Sequence, residues 1–237
     1  MICVLLCAGY ATRMYPLTEN FPKPLLDIKG KKLIDYLIDD LEEYSNINKY
    51  VVVSNHKFIN YFNDWKNTRK ENITVLDDGS THNDNRLGAV RDIKFAIDEA
   101  KIDEDILVLA GDNLLDFSLK NFVDLANDKN SSVVMRYFES DINRLKKTGV
   151  ATIDDEGFII EMVEKPQDPK SNWAIPPFYI FKKESLKEIE RGINSGCKVD
   201  APGSFIEWFS KSNKIYTYLM EGKRIDIGNL EDYYKNK

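Results

Sequence analysis

The sequence predicts an α/β protein built on a doubly wound sheet. Its first half alternates short apolar runs with amphipathic segments, and the apolar runs are continuous, as in strands that are covered on both faces. Alternation of strands and helices is typical of parallel sheets with helices on both sides. Ligands of such sheets bind at the carboxyl ends of the strands, so the segments that follow the strands are the first place to look for a site.

Four runs in the first half predict strands, at residues 2–7, 50–55, 73–78 and 105–111. Between them, two segments repeat apolar residues at the spacing of a helix face, with polar residues on the opposite face. The first helix face consists of Leu33, Ile34, Leu37, Leu41 and Tyr44. The second consists of Leu87, Val90, Ile93, Ala96 and Ile97.

The second half of the sequence predicts strands in succession. Residues 131–138, 150–165 and 174–181 have strand composition, and the middle stretch contains the turn Asp-Asp-Glu-Gly at 154–157. We expect helices at about 183–194 and 203–211, then closing strands at 214–220 and 223–228. No linker, repeat or low-complexity tract separates the halves, so we expect one domain over residues 1–237.

Composition excludes several classes of function. The chain has 237 residues, 43% hydrophobic and 30% charged, which is ordinary for a soluble globular protein. No run approaches the ~18 apolar residues of a membrane span, and the apolar amino terminus is expected to be a buried strand, not a signal peptide. A net charge of −6 argues against nucleic acid as a partner. Three cysteines without metal-site spacing fit a reduced, cytoplasmic protein.

The loop after the first strand is the candidate anion-binding segment. Residues 8–12 read Ala-Gly-Tyr-Ala-Thr, and small residues allow successive backbone N–H groups to approach a phosphate. Arg13 can bind phosphate oxygens with its planar guanidinium, and Lys23, between two prolines, supplies a second positive charge. The P-loop and GxGxxG patterns are absent. The alternative is a tight turn with an exposed Arg and Lys, but the succession of Thr-Arg, Pro-Leu-Thr and Pro-Lys-Pro favours a binding function.

These motifs resemble the signature of the sugar-phosphate nucleotidyltransferases, which include glucose-1-phosphate thymidylyltransferases and other NDP-sugar pyrophosphorylases. The family pattern L-x-A-G-G-x-G-T-R-L-x-P-L-T-x-x-x-P-K-P-L-L is nearly filled, with Tyr10, Ala11 and Met14 as departures. The resemblance implies a Rossmann-like, three-layer α/β/α fold with a mixed sheet, of the nucleotide-diphospho-sugar transferase type. Residues 1–130 would bind nucleotide and 131–237 the acceptor. The nucleotide contacts it implies are Leu6, Ala8, Gly9, Ala11, Thr12, Arg13, Lys23, Gly88 and Asp112.

Two carboxylates are the candidate metal ligands. Asp112 ends a buried strand in Gly-Asp-Asn, where a carboxylate can hold Mg²⁺ against phosphate oxygens. Taken alone, that motif is better explained as a helix cap or a turn aspartate, and the resemblance is what implies the metal function. The closing Asp-Ile-Gly-Asn-Leu-Glu-Asp-Tyr segment resembles the family's last motif and suggests Asp226 as the second metal carboxylate. Asn229 is the better helix cap there, which leaves Asp226 available.

The acceptor site is implied by two further motifs. Glu164-Lys165-Pro166 resembles the family segment in which Lys holds the acceptor phosphate and Glu a sugar hydroxyl. Gly149 matches an acceptor-lining glycine, although Thr148 replaces the usual aromatic residue before it. Residues 171–179 resemble S-N-W-A-x-T-G-x-Y, but prolines at 176 and 177 replace Thr-Gly, which removes two backbone donors. That change puts the usual sugar contacts in question.

The segment around Gly88 is expected to lie beside the nucleobase. Gly88 matches a family position where the base approaches the backbone, and the alternative is simple packing at a helix start. The sequence leaves two interpretations of Arg86 open: a contact to the base or phosphate, or a solvated helix residue. Residues 200–209, Asp-Ala-Pro-Gly before an amphipathic segment, fit either the acceptor pocket or an oligomer interface.

The expected activity is Mg²⁺-dependent transfer of a nucleotidyl group from an NTP to a sugar 1-phosphate, with release of pyrophosphate. The catalytic residues would be Arg13, Lys23, Asp112 and Lys165, acting by positioning and charge neutralisation. One alternative is a cytidylyltransferase acting on phosphocholine or another non-sugar phosphate. Another is a nucleotide-sugar-binding regulatory subunit without turnover. The resemblance also suggests a homo-oligomer; the base, the acceptor and the pathway stay open.

Overall fold

The computed structural model describes residues 1–43, 47–129 and 131–237, so Tyr44 of the first predicted helix face lies outside the described residues. The strands are β1 (Ile2–Leu6), β2 (Asp27–Ile28), β3 (Lys31–Lys32), β4 (Lys49–Ser54), β5 (Ile73–Asp77), β6 (Ile106–Ala110), β7 (Asn113–Leu115), β8 (Ser132–Phe138), β9 (Gly149–Ile153), β10 (Ile159–Glu164), β11 (Trp173–Ile175), β12 (Phe178–Phe181), β13 (Ile215–Leu219) and β14 (Arg224–Asp226). The helices are α1 (Leu33–Glu42), α2 (Ile59–Lys66), α3 (Ala89–Glu99), α4 (Lys120–Asp128), α5 (Ile142–Leu145), α6 (Leu186–Asn194), α7 (Gly203–Phe209) and α8 (Leu230–Asn236).

The central sheet has the order β10-β9-β11-β8-β12-β6-β1-β4-β5, and β13 pairs with β8. The strands predicted in the first half form its parallel part, since β1 lies between β4 and β6 and β4 pairs with β5. β12 then runs antiparallel to both β6 and β8. The sheet is therefore mixed, as predicted, and takes strands from both halves of the chain.

Helices cover both faces of this sheet. One apolar cluster joins α1, α2 and α4 to one face through residues such as Ile34, Phe62 and Phe122. The other joins α3, α6 and α7 to the opposite face through residues such as Ile93 and Phe205. Each of these side chains is fully buried, which stabilises the fold by roughly 1.5–3 kcal/mol apiece. The predicted three-layer α/β/α arrangement is confirmed.

Two predicted elements are divided or shifted by residues that restrict the backbone. The single strand expected at 174–181 is two strands, β11 and β12, separated by Pro176 and Pro177. Proline has no N–H to donate to a sheet, so pairing stops there. The second helix begins at Ala89 and leaves out Leu87, because Gly88 has a φ of 91°.

The helix expected at 183–194 also begins later than predicted. It opens with a 3₁₀ turn, Lys183–Ser185, before α6. The predicted turn between β9 and β10 is confirmed: the N–H of Gly157 donates to the carbonyl of Asp154 at 3.1 Å, and Gly157 has a φ of 93°.

A two-stranded ribbon brings the end of the chain to the centre of the molecule. β14 pairs antiparallel with β7, and this register sets Asp226 opposite Asn113. Because Asp112 directly precedes β7, the two predicted metal carboxylates become neighbours.

Membrane insertion by a helix has no support in the fold. Within residues 1–43, 47–129 and 131–237, no helix combines the length and apolar character that crossing a bilayer requires.

Candidate active site

A cavity of about 570 Å³ opens at the carboxyl ends of β1 and β6. It extends from the start of α3 to the end of β10. It is lined by nearly all the residues predicted for the site, namely Leu6, Ala8, Gly9, Ala11, Thr12, Arg13, Gly88, Asp112, Gly149, Glu164, Lys165 and Asp226. The remaining predicted residue, Lys23, touches the cavity's carboxylates from below.

The loop after β1 presents its amides to this cavity. Asn55 donates to the carbonyl of Ala8 at 3.0 Å, and Thr18 donates to the carbonyl of Ala11 at 2.8 Å. Ala11 has a φ of 46°, a left-handed conformation that a small residue tolerates best. Within the part of the chain that the structure describes, the N–H groups of residues 9–13 donate no hydrogen bond. The loop therefore has the form of a concave anion cradle.

Lys23 joins the two predicted metal carboxylates. Its Nζ lies 2.7 Å from Oδ2 of Asp112 and 3.7 Å from Oδ1 of Asp226. Lys23 is only 7% exposed, because it sits in a 3₁₀ turn, Lys23–Leu25, that follows Pro22 and packs into the protein. A buried ammonium is tolerated when it is paired in this way.

The two carboxyl groups differ in their ionisation. Burial would raise the pKa of Asp112, but the Lys23 ammonium outweighs burial and holds that pKa below its usual range. Burial and the Asp112 carboxylate together raise the pKa of Asp226, opposed by Lys23, Arg224 and Arg13. The helix cap expected from Asn229 is present, since its Oδ1 accepts the N–H of Asp232 at 2.9 Å. Asp226 therefore has no capping function and faces the cavity.

Two residues of this cluster were missed by the sequence interpretation. Asn113 donates through Nδ2 to Oδ1 of Asp112 at 2.9 Å and accepts at Oδ1 from the Arg224 guanidinium at 2.7 Å. Arg224 also lines the cavity. The signal was available, because Arg224 and Asp226 are two residues apart and therefore share a face of any strand.

At the other end of the cavity, Glu164 occupies space left by two glycines. A Cβ on Gly203 would lie 2.0 Å from Oε2 of Glu164, and one on Gly149 would lie 3.1 Å from it. The Glu164 carboxyl accepts no hydrogen bond from another described residue, while its backbone N–H donates to Glu207 at 2.9 Å. Burial, with a contribution from Glu207 and against the pull of Lys165, raises the pKa of Glu164 to about 7.

Lys165 is held by its backbone and its side chain is exposed. Its φ is 52°, a conformation that non-glycine residues adopt sparingly and that concentrates at ligand sites. Its N–H donates to the carbonyl of Thr148 at 3.1 Å. Pro177 lines the cavity beside Ile175 and Tyr179, so this wall offers apolar surface where the family pattern has Thr-Gly.

The environment of Gly88 is explained by packing. A Cβ there would lie 2.6 Å from the carbonyl oxygen of Val199. The first two amides of α3 are capped by the carbonyls of Asp200 and Val199, at 3.2 and 3.0 Å. Arg86, whose function was open, forms an ion pair with Asp200. The approach of a base to Gly88 stays a prediction, and residues 200–203 are placed in the cavity wall.

This fold and cleft define a class of protein, an α/β protein with an anion cradle beside a lysine-bridged carboxylate pair. The model of the family described as Nucleotidyl transferase matches residues 2–237, and the chain belongs to that family.

Relatives of known name support the assignment. The chain is 32% identical over 233 residues to the bifunctional protein GlmU of Methanocaldococcus jannaschii, covering 98% of this chain and 52% of that protein. It is 28% identical over 244 residues to the UTP–glucose-1-phosphate uridylyltransferase AglF of Haloferax volcanii, covering 98% and 93%. The crystal structure of a UDP-glucose pyrophosphorylase complexed with UDP-glucose shares the fold, with a TM-score of 0.83, 24% identity and coverage of 100% and 97%. The chain thus spans about half the length of GlmU and nearly all of AglF.

Proposed function

We propose that this protein transfers a nucleotidyl group from an NTP to a sugar 1-phosphate, giving an NDP-sugar and pyrophosphate. The observation that carries the proposal is the Lys23 ammonium, which bridges Asp112 and Asp226, two residues that line the same cavity as the amide cradle. A triphosphate needs such a combination of N–H donors and fixed positive charge. The name of AglF, which covers almost the same length, supports the same reaction class.

The reaction is a direct displacement at phosphorus. A phosphate oxygen of the acceptor forms a bond to the α-phosphorus, while the bond from that phosphorus to the bridging oxygen breaks and pyrophosphate leaves with the electron pair. A phosphate dianion is already a competent nucleophile, so no general base is required. The amides of residues 9–13 and Arg13 bind the β- and γ-phosphates, Lys23 offsets charge near the α-phosphate, and Lys165 holds the acceptor phosphate. Positioning and charge neutralisation supply most of the rate.

Asp112 and Asp226 would hold Mg²⁺. The donor set fits: two carboxylates with hard oxygen ligands lie within reach of one ammonium, and their repulsion raises the pKa of Asp226. Among the described residues they have no third His, Cys, Asp or Glu beside them, as expected where phosphates and water complete the coordination. Held by these two residues, Mg²⁺ would supply neutralisation of the phosphate charge.

A second acceptor class is favoured by the apolar wall of Ile175 and Pro177. Proline at 177 offers no N–H to a sugar hydroxyl, and Glu164 places a carboxyl nearby. A phosphate ester with a cationic, apolar head, such as phosphocholine, suits these groups.

The test is pyrophosphate release with Mg²⁺, crossing five NTPs (ATP, CTP, GTP, UTP and dTTP) with sugar 1-phosphates and phosphocholine. We expect release that requires one NTP and one acceptor together, that stops on chelation of the metal, and that is lost in Asp112→Ala. Asp103→Ala, on an exposed carboxylate paired with Lys183, is the matched control and should retain activity. Nucleotide binding without release for any pair would favour the non-catalytic, regulatory function instead.

A further inference from the structure

The cavity has a second acidic region, at the start of α3, that the reaction above does not use. Asp92 lines the cavity wall and is only 6% exposed. Its Oδ1 is fully buried and has no hydrogen-bond partner among the described residues. Asp78 is close enough to influence the pKa of Asp92. Its Oδ2 is likewise fully buried and has no hydrogen-bond partner among the described residues.

The two carboxyl groups are not equivalent, because Asp78 is anchored and Asp92 is not. Oδ1 of Asp78 accepts from both the N–H and the hydroxyl of Ser80, each at 2.7 Å. The Tyr10 hydroxyl donates to the same Ser80 at 3.4 Å, and its ring packs against Phe58. Tyr10 is one of the chain's departures from the family signature, so this departure helps to build the acidic region.

Among the described residues, no basic side chain forms a hydrogen bond or ion pair with the Asp92 carboxyl. Arg91, the residue before it, is exposed, and Lys94 is paired with Asp98. Arg86, which also lines the cavity, gives Nε to Asp200 at 3.0 Å and a terminal nitrogen to Asn83 at 2.6 Å. Burial, with a contribution from Asp78, raises the pKa of Asp92 to about 7. Buried polar groups are nearly always hydrogen-bonded, and the Asp92 carboxyl lies in a cavity wall, where a bound ligand can supply a donor that the described residues do not.

We propose that Asp92 reads the nucleobase of the bound NTP by accepting a hydrogen bond from an exocyclic amino group. The inference rests on the proposed function, because it takes the bound ligand to be an NTP whose triphosphate lies in the 9–13 cradle. The base then reaches the cavity wall formed by Gly88, Ala89 and Asp92. In its ionised form the Asp92 carboxylate, which lines the cavity, accepts a hydrogen bond from an amino group, whereas a base with a carbonyl at that position sets oxygen against oxygen. The protein therefore selects an amino base (adenine, cytosine or guanine) over uracil and thymine.

Calorimetric binding of nucleotides without acceptor tests this directly. The probes are matched pairs that differ at one exocyclic position: CTP with UTP, ATP with ITP, and GTP with ITP, alongside dTTP. At pH 8, where the Asp92 carboxyl is mostly ionised, we expect the tightest ligand to carry an amino group and to bind about tenfold more tightly than the partner that lacks this amino group, as one hydrogen bond to a charged acceptor warrants. Tightest binding of UTP, dTTP or ITP, or no preference within any pair, would overturn the proposal.

Asp92→Asn is the decisive variant, since it keeps the size of the side chain and replaces one acceptor with a donor. We expect the preference within the cognate pair to fall to about one or to invert, while the affinity common to all triphosphates persists. The control is Asp98→Asn, an exposed aspartate on the same helix, which should leave the ratio unchanged. An unchanged ratio in Asp92→Asn, or an equal loss for every nucleotide, would refute a base-reading function. Binding with the expected preference but no turnover with any acceptor would refute the proposed reaction and leave this inference standing.

Discussion

The two acidic regions of the cavity differ in how the protein treats their charge. Asp112 is hydrogen-bonded by Lys23 and Asn113, and its pKa is lowered. Asp92 is at least as well buried, has no such partner, and its pKa is raised. A carboxylate that is already paired within the protein stays ionised, which is the state that the proposed metal binding requires. A carboxylate without a partner gains a hydrogen bond only when a ligand binds. The comparison therefore separates groups that would act on the phosphates of any NTP from a group that would select one kind of base.

Lys23→Met is the strongest test of the paired region. Without the ammonium, Asp112 and Asp226 repel each other at the cavity wall, and the α-phosphate of the proposed substrate loses its nearest fixed charge. We expect turnover to fall by about 10³-fold, as for removal of one preorganised charge in phosphoryl-type transfer. Steady-state pyrophosphate release measures it.

The matched control is Lys182→Met, which removes a comparable ion pair, Lys182 to Asp105 at 2.6 Å, outside the cavity. It should fold and retain most activity. Equal losses in both variants, accompanied by equal losses of folded protein, would mean that Lys23 matters for structure alone.

Arg224→Ala tests whether the paired region extends beyond the motifs. The Arg224 guanidinium orients Asn113, which in turn donates to Asp112, and it opposes the repulsion between the two carboxylates. We expect kcat/KM to fall by roughly 10²-fold, and Arg224→Lys to recover only part, because an ammonium lacks the planar fork. Arg191→Ala, an exposed arginine paired with Glu188, is the control. Full activity in Arg224→Ala would remove it from the site.

The paired region could be predicted from sequence and the orphaned one could not, for a physical reason. Arg13, Lys23 and Asp112 stand in motifs whose residue types are those that phosphate and metal require at strand ends. Asp92 directly precedes Ile93 in the second predicted helix but is not part of the apolar face predicted for it, so in the sequence it looks like any polar residue of a helix. The start of its helix is covered by Val199 and Asp200, which are far away in sequence and pack on Gly88. Likewise, the position of Arg224 depends on the pairing of β14 with β7. These strands are far apart in sequence, so local sequence patterns do not predict that they pair.

The orphaned region predicts a pH-dependent stability. Asp92 has its pKa raised from 3.8 to about 7 by folding, so its contribution to stability is present below pH ~4 and is lost as the pH rises towards 7. Asp92→Asn removes the titration. We expect the variant's advantage over the wild type to grow by roughly 2 kcal/mol between pH 5 and pH 8, allowing for relaxation of the site.

Urea unfolding at the two pH values measures this difference, with Asp98→Asn as the control that should show no such growth. An advantage independent of pH would mean that Asp92 has a partner in solution and is not orphaned.

Glu164 is intermediate between the paired Asp112 and the unpaired Asp92. Its carboxyl accepts no hydrogen bond from a described residue, but it occupies the space that Gly149 and Gly203 leave. Gly203→Ala puts a methyl group where Oε2 now lies, and Gly203 begins α7 with a φ that alanine adopts readily. We expect the side chain to rotate away, raising the KM for the acceptor about tenfold with little change in NTP binding. A double-mutant cycle isolates the cause, because the penalty of Gly203→Ala should vanish in a Glu164→Ala background. If the two penalties add instead, the methyl group acts through α7 and not through Glu164. The position of the Glu164 carboxyl would then not depend on the space that the two glycines leave.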